Sequence, residues 1–436
     1  MPCFIARIST GLTKGIMHIS RRAFIKETVG ATGLVAFGSS IPAFLARSSA
    51  AMEAGQRSAG TVLVVIQLSG GNDGLNTVVP YQNDAYHHGR PTLRIAPDQV
   101  LKLDAGLGLH PAMPAFAKLY REGKLCIIQG VGYPKSSRDH EAAMEDWHTG
   151  VLRDQVPPGA RTGWLGRAID ATCDPARTDL RGVFVGDIKA PFSLRTERVV
   201  VPRIKSLEGW LPTGLAWGEA SLPRESSPTS ATATPSPLAS VRAAAADARL
   251  VRRRLIATNL APQTGRSAAY PPFPLAQNLA TVAHLIRADL GIRICFAEMG
   301  GGGIGGFDTH ANQAANHGAL LRELAESISA FVDDLNHDRL LDSVLVMTFS
   351  EFGRTLAENG RRGTDHGTAA PMFMIGGKVK GGLWGAHPSL TDLEADSLKH
   401  HTDFRRVYAT VLERWLNMKS EKVLAPGFAP IEGALV

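Results

Sequence analysis

The stretch TVLVVIQLSGGNDG, residues 61–74, joins a long apolar run to a group of turn-forming and acidic residues. Its first eight residues carry no charge and are rich in valine, which favours the extended conformation. An apolar run without polar alternation is typical of a strand that is covered on both faces. This stretch therefore predicts a strand within a mostly parallel sheet that has helices on both sides.

The same kind of run recurs along the chain and alternates with segments of helical periodicity. Further strands are predicted at residues 124–132, 181–186, 291–300, 343–349 and 371–377. Helices are predicted at residues 112–122, 275–289, 317–335 and 403–415. The alternation predicts an α/β fold with right-handed crossovers, in which sites lie beyond the carboxyl ends of the strands.

The N-terminal segment has the features of an export signal. Arg21 and Arg22 form a twin-arginine pair in SRRAFIK, ahead of an apolar, glycine-rich run at residues 29–46. This run is too short for a comfortable transmembrane helix. Residues 1–46 are therefore predicted to be a Tat signal peptide, with the Tat translocase as a partner during export and a periplasmic or secreted mature protein. No stable transmembrane segment is expected after cleavage.

The basic balance of the whole chain depends in part on that signal. The formal net charge is +7, and five of the 47 basic residues but only one of the 40 acidic residues lie in residues 1–46. Removing the segment lowers the formal charge to +3, so the composition does not indicate a nucleic-acid partner.

The rest of the chain, residues 47–436, is predicted to be a single domain. Residues 219–240 are rich in Pro, Ser, Thr and Ala, and a basic helical segment follows them. Predicted strands lie on both sides of this region. Residues of about 200–285 are therefore interpreted as a flexible linker and a helical insertion within that domain.

Residue types that bind metals follow most of the predicted strands, or precede the last one. The candidate metal ligands are Asp73, Asp308, His310, Glu351, Asp365 and His366. Carboxylates combined with imidazoles suit Zn²⁺, Mn²⁺ or Fe, and this number of ligands suits one or two ions. Taken singly, Asp73 also fits a turn residue, and the Asp residues of DTH and DHG fit helix caps. Their occurrence at several strand ends favours a shared site.

The motifs LSGGNDGLNTVVP, GGFDTHANQ, FSEFGRT, GTDHGTAAPMFMIGG and TDFRRVYATVLERWL, together with the signal, resemble the DUF1501 family of exported bacterial proteins. That family is grouped with the alkaline phosphatase-like superfamily, which includes sulfatases. The resemblance implies an alkaline phosphatase-like fold with metal ligands at the strand ends, and Asp73 corresponds to the ligand after the first strand. His366 corresponds to the last ligand histidine.

The resemblance also implies a nucleophile after the second strand region. Ser136 or Ser137, followed closely by His140, would supply it, and Arg354 or Arg138 would hold an anion. The formylglycine signature of sulfatases does not occur in the sequence. The expected function is that of a periplasmic, metal-dependent hydrolase of phosphate or sulfate esters, acting on a small molecule or a polymer. The alternative is a non-catalytic envelope protein that has a degenerate metal site and binds a partner.

Overall fold

A computed structural model of the chain describes residues 60–104, 106–155, 162–172, 182–205, 269–300 and 306–435. The predicted signal segment and most of the predicted linker and helical insertion, residues 206–268, lie outside these ranges.

The described residues contain one large sheet and three small ones. The large sheet has nine strands in the order β13-β5-β12-β9-β1-β8-β6-β7, and β16 also pairs with β5. Its strands are β1 (Val62–Leu68), β5 (Leu125–Gly132), β6 (Gly182–Val185), β7 (Arg203–Ile204), β8 (Ile294–Met299), β9 (Val344–Phe349), β12 (Ala370–Gly376), β13 (Gly382–Trp384) and β16 (Thr402–Asp403). The small sheets are formed by β2 (Val78–Val79), β3 (Leu101–Lys102) and β4 (Gly108–Leu109), by β10 (Arg354–Glu358) and β11 (Thr364–His366), and by β14 (Leu393–Glu394) and β15 (Ser397–Leu398).

Parallel pairing dominates the large sheet, which confirms the predicted fold class. β1 lies between β8 and β9 and is parallel to both, so that Val64 faces Cys295 on one side and Val346 on the other. β12 alone runs the other way, because it is antiparallel to both β5 and β9. The N-terminal end of β12 therefore lies at the edge where β1, β5, β8 and β9 end.

Helices cover both faces of the sheet, as the apolar strands require. They are α1 (Gly74–Thr77), α2 (Asp84–Gly89), α3 (Pro114–Arg121), α4 (His140–Thr149), α5 (Trp164–Thr172), α6 (Pro274–Arg287), α7 (Gln313–His337) and α8 (Phe404–Thr410), the last continuing as a π-helical turn at Val411–Trp415. Val62, Val64 and Ile66 of β1 pack in one core with α3, α6 and α7. Leu63 and Val65 pack in a second core with α4, α5 and α8. None of the helices in the described ranges has the length and apolarity of a membrane span.

Two glycines shape the loop that leaves β1. Gly70 and Gly71 have φ of +114° and +82°, a region that side chains rarely adopt. A Cβ on Gly70 would collide with the backbone of Asp308, and a Cβ on Gly71 would collide with the ring of Phe352. The paired glycines thus allow this loop to pass directly against the segments that follow β8 and β9.

Candidate metal centre

Four chain segments meet above the edge of the sheet at which the parallel strands end. They follow β1, β5, β8 and β9, and a fifth segment, β11, leads into the reversed strand β12. Antiparallel pairing places Arg354 of β10 opposite His366 of β11. The reversal of β12 is what brings His366 to this edge, because a parallel strand here would start at the far side of the sheet.

Three histidines and one aspartate form the centre of this edge, and we call His140, His310, His366 and Asp308 the His/Asp cluster. Asp308 Oδ1 lies 2.9 Å from His310 Nε2, 3.1 Å from His366 Nε2 and 3.5 Å from His140 Nε2. His310 Nε2 and His366 Nε2 are 2.9 Å apart. Ligand atoms of His140, Asp308 and His366 all lie within 4.8 Å of one another. Such spacing allows these groups to bind one ion.

The other ring nitrogen of each histidine meets an oxygen. His140 Nδ1 lies 2.9 Å from Glu351 Oε1, and His310 Nδ1 lies 3.2 Å from Asp365 Oδ1. His366 Nδ1 lies 2.7 Å from the carbonyl oxygen of Arg138. Because a carbonyl oxygen can only accept, His366 donates from Nδ1, and in the neutral ring this leaves a lone pair on Nε2. Histidines that bind metals are commonly oriented by this kind of second contact.

The protonation of Asp308 and His366 suits a cation. Burial raises the pKa of Asp308, but the hydrogen bond and charge of Arg354, together with the neighbouring imidazoles, outweigh it and lower the pKa to about 2. Burial lowers the pKa of His366, which keeps that ring neutral at pH 7. Two ring nitrogens 2.9 Å apart beside a carboxylate need a proton or a cation between them. The residues present therefore fit a divalent ion with nitrogen and oxygen ligands.

Arg354 holds the loops of the centre together. Its guanidinium group is fully buried and donates to the carbonyl oxygens of Gly70, Gly71 (2.8 Å), Phe307 (2.9 Å) and Thr364 (2.9 Å), and to Asp308 Oδ1 (2.8 Å). The prediction that Arg354 holds a substrate anion is not supported by this geometry, because its donors are taken by the protein. Arg354 is a positioning residue that links the segments after β1 and β8 to β11.

Arg138 is also engaged within the protein. Its Nη2 donates to the carbonyl oxygens of Glu394, at 3.1 Å, and Ala395, at 2.8 Å. This side chain therefore anchors the turn between β14 and β15, while its own carbonyl group orients His366.

Two predicted ligands support the cluster from outside. Glu351 is buried, and its Oε1 accepts from the Gly70 amide at 2.7 Å as well as contacting His140. Asp365 is exposed, and Asn359 Nδ2 donates to its Oδ1 at 3.0 Å. Both carboxylates orient imidazole rings.

Asp73 lies apart from the cluster. It is buried, and its Oδ2 pairs with Arg90 Nη1 at 2.6 Å and also accepts from Gln313. Its Oδ1 caps α1 by accepting from the amides of Leu75 and Asn76. These contacts are those of a turn and cap residue. They are not those of a metal ligand, because Arg90 already balances the charge of Asp73.

The two candidate serines make local contacts. Ser137 Oγ accepts from the Asp139 amide at 3.2 Å, and Ser136 Oγ donates to the Ser137 carbonyl at 3.4 Å. Within the described ranges, neither hydroxyl hydrogen-bonds to the His/Asp cluster. His140, predicted as their catalytic neighbour, belongs to the cluster itself.

Four residues that build the site were not predicted from the sequence. Arg90 neutralises Asp73, Gln313 joins Asp73 to the site loops, and Asn359 fixes Asp365. Phe352 lies under His140 and His366, with ring centroids 4.9 and 4.5 Å away. Two of them lie in motifs quoted above, Gln313 at the end of GGFDTHANQ and Phe352 in FSEFGRT, whereas Arg90 and Asn359 lie outside those motifs.

The C-terminal part of the chain matches a known protein family. Residues 257–424 match the family described as "Protein of unknown function (DUF1501)". This segment belongs to the DUF1501 family. The DUF1501 segment contains Asp308, His310 and His366 of the cluster, whereas His140 lies upstream of it. The predicted family is therefore confirmed. A comparison with curated proteins gave no significant match.

The solved structures that are similar to the chain include two proteins of low sequence identity to it. The lipoteichoic acid synthase LtaP from Listeria monocytogenes is 8% identical, with a TM-score of 0.34, over 75% of this chain and 66% of that one. The PsFucS1 sulfatase from Pseudoalteromonas sp. is 10% identical, with a TM-score of 0.38, over 90% of this chain and 75% of that one. The chain thus spans just under two thirds of the first of these proteins. The architecture described above rests on the strand pairing itself and not on these similarities.

Proposed function

We propose that the protein is a metal-dependent hydrolase of phosphate or sulfate esters. The observation that carries the proposal is the His/Asp cluster, in which three imidazole Nε2 atoms surround one carboxylate oxygen. His140, His310, His366 and Asp308 would hold one ion of Zn, Mn or Fe. When bound, such an ion polarises an ester oxygen and lowers the pKa of a coordinated water.

The chain's own residues have separate tasks in this proposal. Asp308 and His140 are partly open to solvent, with 43% and 38% of their side chains exposed, so a substrate would approach over them. Glu351 and Asp365 orient imidazole rings, and Arg354 holds the Asp308 carboxylate. The lack of contact between the cluster and Ser136 or Ser137 supports hydrolysis without a serine nucleophile.

The test combines metal analysis with an ester panel. Purified protein is expected to contain about one equivalent of Zn, Mn or Fe and to hydrolyse 4-nitrophenyl phosphate, bis(4-nitrophenyl) phosphate or 4-nitrophenyl sulfate. Chelation should abolish this turnover, and adding back the same metal should restore it, because the ion supplies the electrophile. Protein that holds metal firmly but hydrolyses none of these esters would favour the non-catalytic alternative.

We also propose that the Tat system exports the protein to the periplasm or beyond the cell. The basis is the Arg21–Arg22 pair before a weakly apolar, glycine-rich run. Replacing both arginines with lysine should leave the protein in the cytoplasm while its fold is unchanged. Cell fractionation and immunoblotting measure this. Normal periplasmic amounts of the double variant would show that another route is used.

A further inference from the structure

The tip of the hairpin formed by β10 and β11, residues 359–363, is attached to the metal centre by Asn359. Asn359 Oδ1 accepts from the amides of Arg361, at 2.9 Å, and Gly363, at 3.1 Å, which closes the turn. Asn359 Nδ2 donates to the His310 carbonyl at 3.1 Å and to Asp365 Oδ1 at 3.0 Å. One side chain thus shapes the turn and links it to the cluster residue His310.

The backbone of the tip also packs on the segment that follows His310. The Asn312 amide donates to the Arg361 carbonyl at 3.0 Å, and the Gln313 amide donates to the Arg362 carbonyl at 2.9 Å. A Cβ on Gly363 would collide with the backbone of His310. The backbone of Arg361 and Arg362 is therefore held close to His310, a residue of the His/Asp cluster, by several contacts.

These two arginines differ from the arginines that build the site. Both are exposed, and neither guanidinium group makes a hydrogen bond or ion pair with any residue that the structure describes. Together with the hydrogen bond from Asn359, however, the charge of Arg361 helps to lower the pKa of Asp365. Arg90 and Arg354, by contrast, are buried and saturated with acceptors. Free guanidinium groups bind phosphate and sulfate oxygens well, because their planar donors match those anions in pairs.

The charge of the centre explains why such groups are needed. Asp308, Glu351 and Asp365 contribute three negative charges. Arg354 and one divalent ion would contribute three positive charges, so the centre would carry no net charge. A neutral centre attracts an anion weakly over distance, so recognition of a highly charged substrate depends on cations at the rim. Arg361 and Arg362 supply two such positive charges in the hairpin tip.

We propose that Arg361 and Arg362 form an anion subsite beside the His/Asp cluster, which binds a second phosphate or sulfate group of the substrate. The inference rests on the proposed function, since it assumes that one anionic ester group lies at the cluster. The substrate class is thereby narrowed to polyanionic esters, in which a neighbouring phosphate or sulfate accompanies the ester that is cleaved.

The subsite is tested by binding and not by turnover. Calorimetry would compare 1,4-butanediol bisphosphate with butyl phosphate, and the bissulfate with butyl sulfate, on metal-free and metal-loaded protein at low salt. We expect the wild type to prefer the probe with two anionic groups in one of the two series, and that series identifies the anion. In the variant Arg361→Gln/Arg362→Gln, the ratio of the affinities for the two probes should fall roughly 5- to 20-fold, as expected for the loss of two exposed ion pairs. Added salt should reduce the difference.

Arg339→Gln is the matched control. Arg339 is likewise exposed and has the same φ of 57° as Arg362, but it follows α7 at the opposite edge of the sheet. Its variant should bind both probes as the wild type does, and the metal content of all variants should be equal. The subsite would be overturned if the wild type bound the probes with one and with two anionic groups equally, or if Arg339→Gln lost as much of the preference as the double variant. If the preference disappears in the double variant but no ester is hydrolysed, the subsite stands and the proposed hydrolase does not.

Discussion

Asp308→Asn is expected to abolish stoichiometric metal binding. Asp308 Oδ1 is the one atom that all three cluster histidines approach, within 2.9–3.5 Å, so the substitution removes the only carboxylate oxygen among the proposed ligands. The metal content should fall from about one equivalent to near zero, which mass spectrometry of the purified protein measures. Hydrolysis should be lost with the metal.

A graded series makes this result specific to the cluster. Asp365→Ala removes the partner of His310 Nδ1 and of Asn359 Nδ2 but none of the proposed ligands, so metal affinity should fall roughly 10–100-fold without being abolished. Asp98→Asn, at an exposed carboxylate with no contact to the cluster, should retain full metal content. Circular dichroism would confirm that each variant is folded. A folded Asp308→Asn variant that binds metal as tightly as the wild type would refute the proposed ligand set.

Asp73→Ala is expected to destabilise the protein by about 3–5 kcal/mol, because it leaves the guanidinium group of Arg90 buried and unpaired. The free energy of unfolding, measured with urea, should show this loss. The metal content of the folded variant should remain at the wild-type level, since Asp73 contacts none of the cluster residues. Loss of metal from a folded Asp73→Ala variant would restore Asp73 to the ligand set.

A second substitution checks the cause of that loss. Asp73→Leu/Arg90→Met removes both charges and should be more stable than Asp73→Ala, because no buried ion is left without a partner. A double variant as unstable as Asp73→Ala would point to the lost α1 cap instead of the ion pair.

The acid dependence gives an independent measurement of the Asp73–Arg90 pair. Burial raises the pKa of Asp73, but the charge and hydrogen bond of Arg90 outweigh it, so the pKa is lowered from 3.8. The pKa of Asp73 is thus lower in the folded state than in the unfolded state. The pair therefore stabilises the fold fully at pH values above the unfolded-state pKa, and this stabilisation is lost as the pH falls through the folded-state pKa. The wild type should therefore lose more stability between about pH 4 and pH 2 than Asp73→Ala does.

Much of the framework follows from the sequence. The six apolar runs all form strands of one sheet, because strands that are covered on both faces need apolar residues at consecutive positions. The four predicted helices are present, with ends that differ by a few residues at most apart from the π-helical turn after Thr410. The candidate residues were found because sites on such sheets lie at strand ends.

The roles of those residues were decided by the tertiary structure. Position after a strand brings a residue to the correct edge, but it does not determine which atom faces the centre. Asp73 and Asp308 both follow strands, yet Asp73 meets a buried arginine that lies 17 positions later. Asp308 meets the imidazole of its neighbour His310 and two imidazoles from distant segments, those of His140 and His366. Contacts between distant segments likewise place His140 in the cluster and place Glu351 behind the ring of His140.

The direction of β12 is the clearest case of information that the apolar pattern lacks. Its consecutive apolar residues predict burial on both faces equally well for a parallel and an antiparallel strand. Only pairing with β5 and β9 makes the strand antiparallel and brings His366 to Asp308. The sequence by itself determined the sheet and the chemistry available at its edge. Contacts among segments far apart in the chain decided which of the candidate residues can bind a metal, because the role of each carboxylate depends on the charged partner that lies next to it in the folded protein.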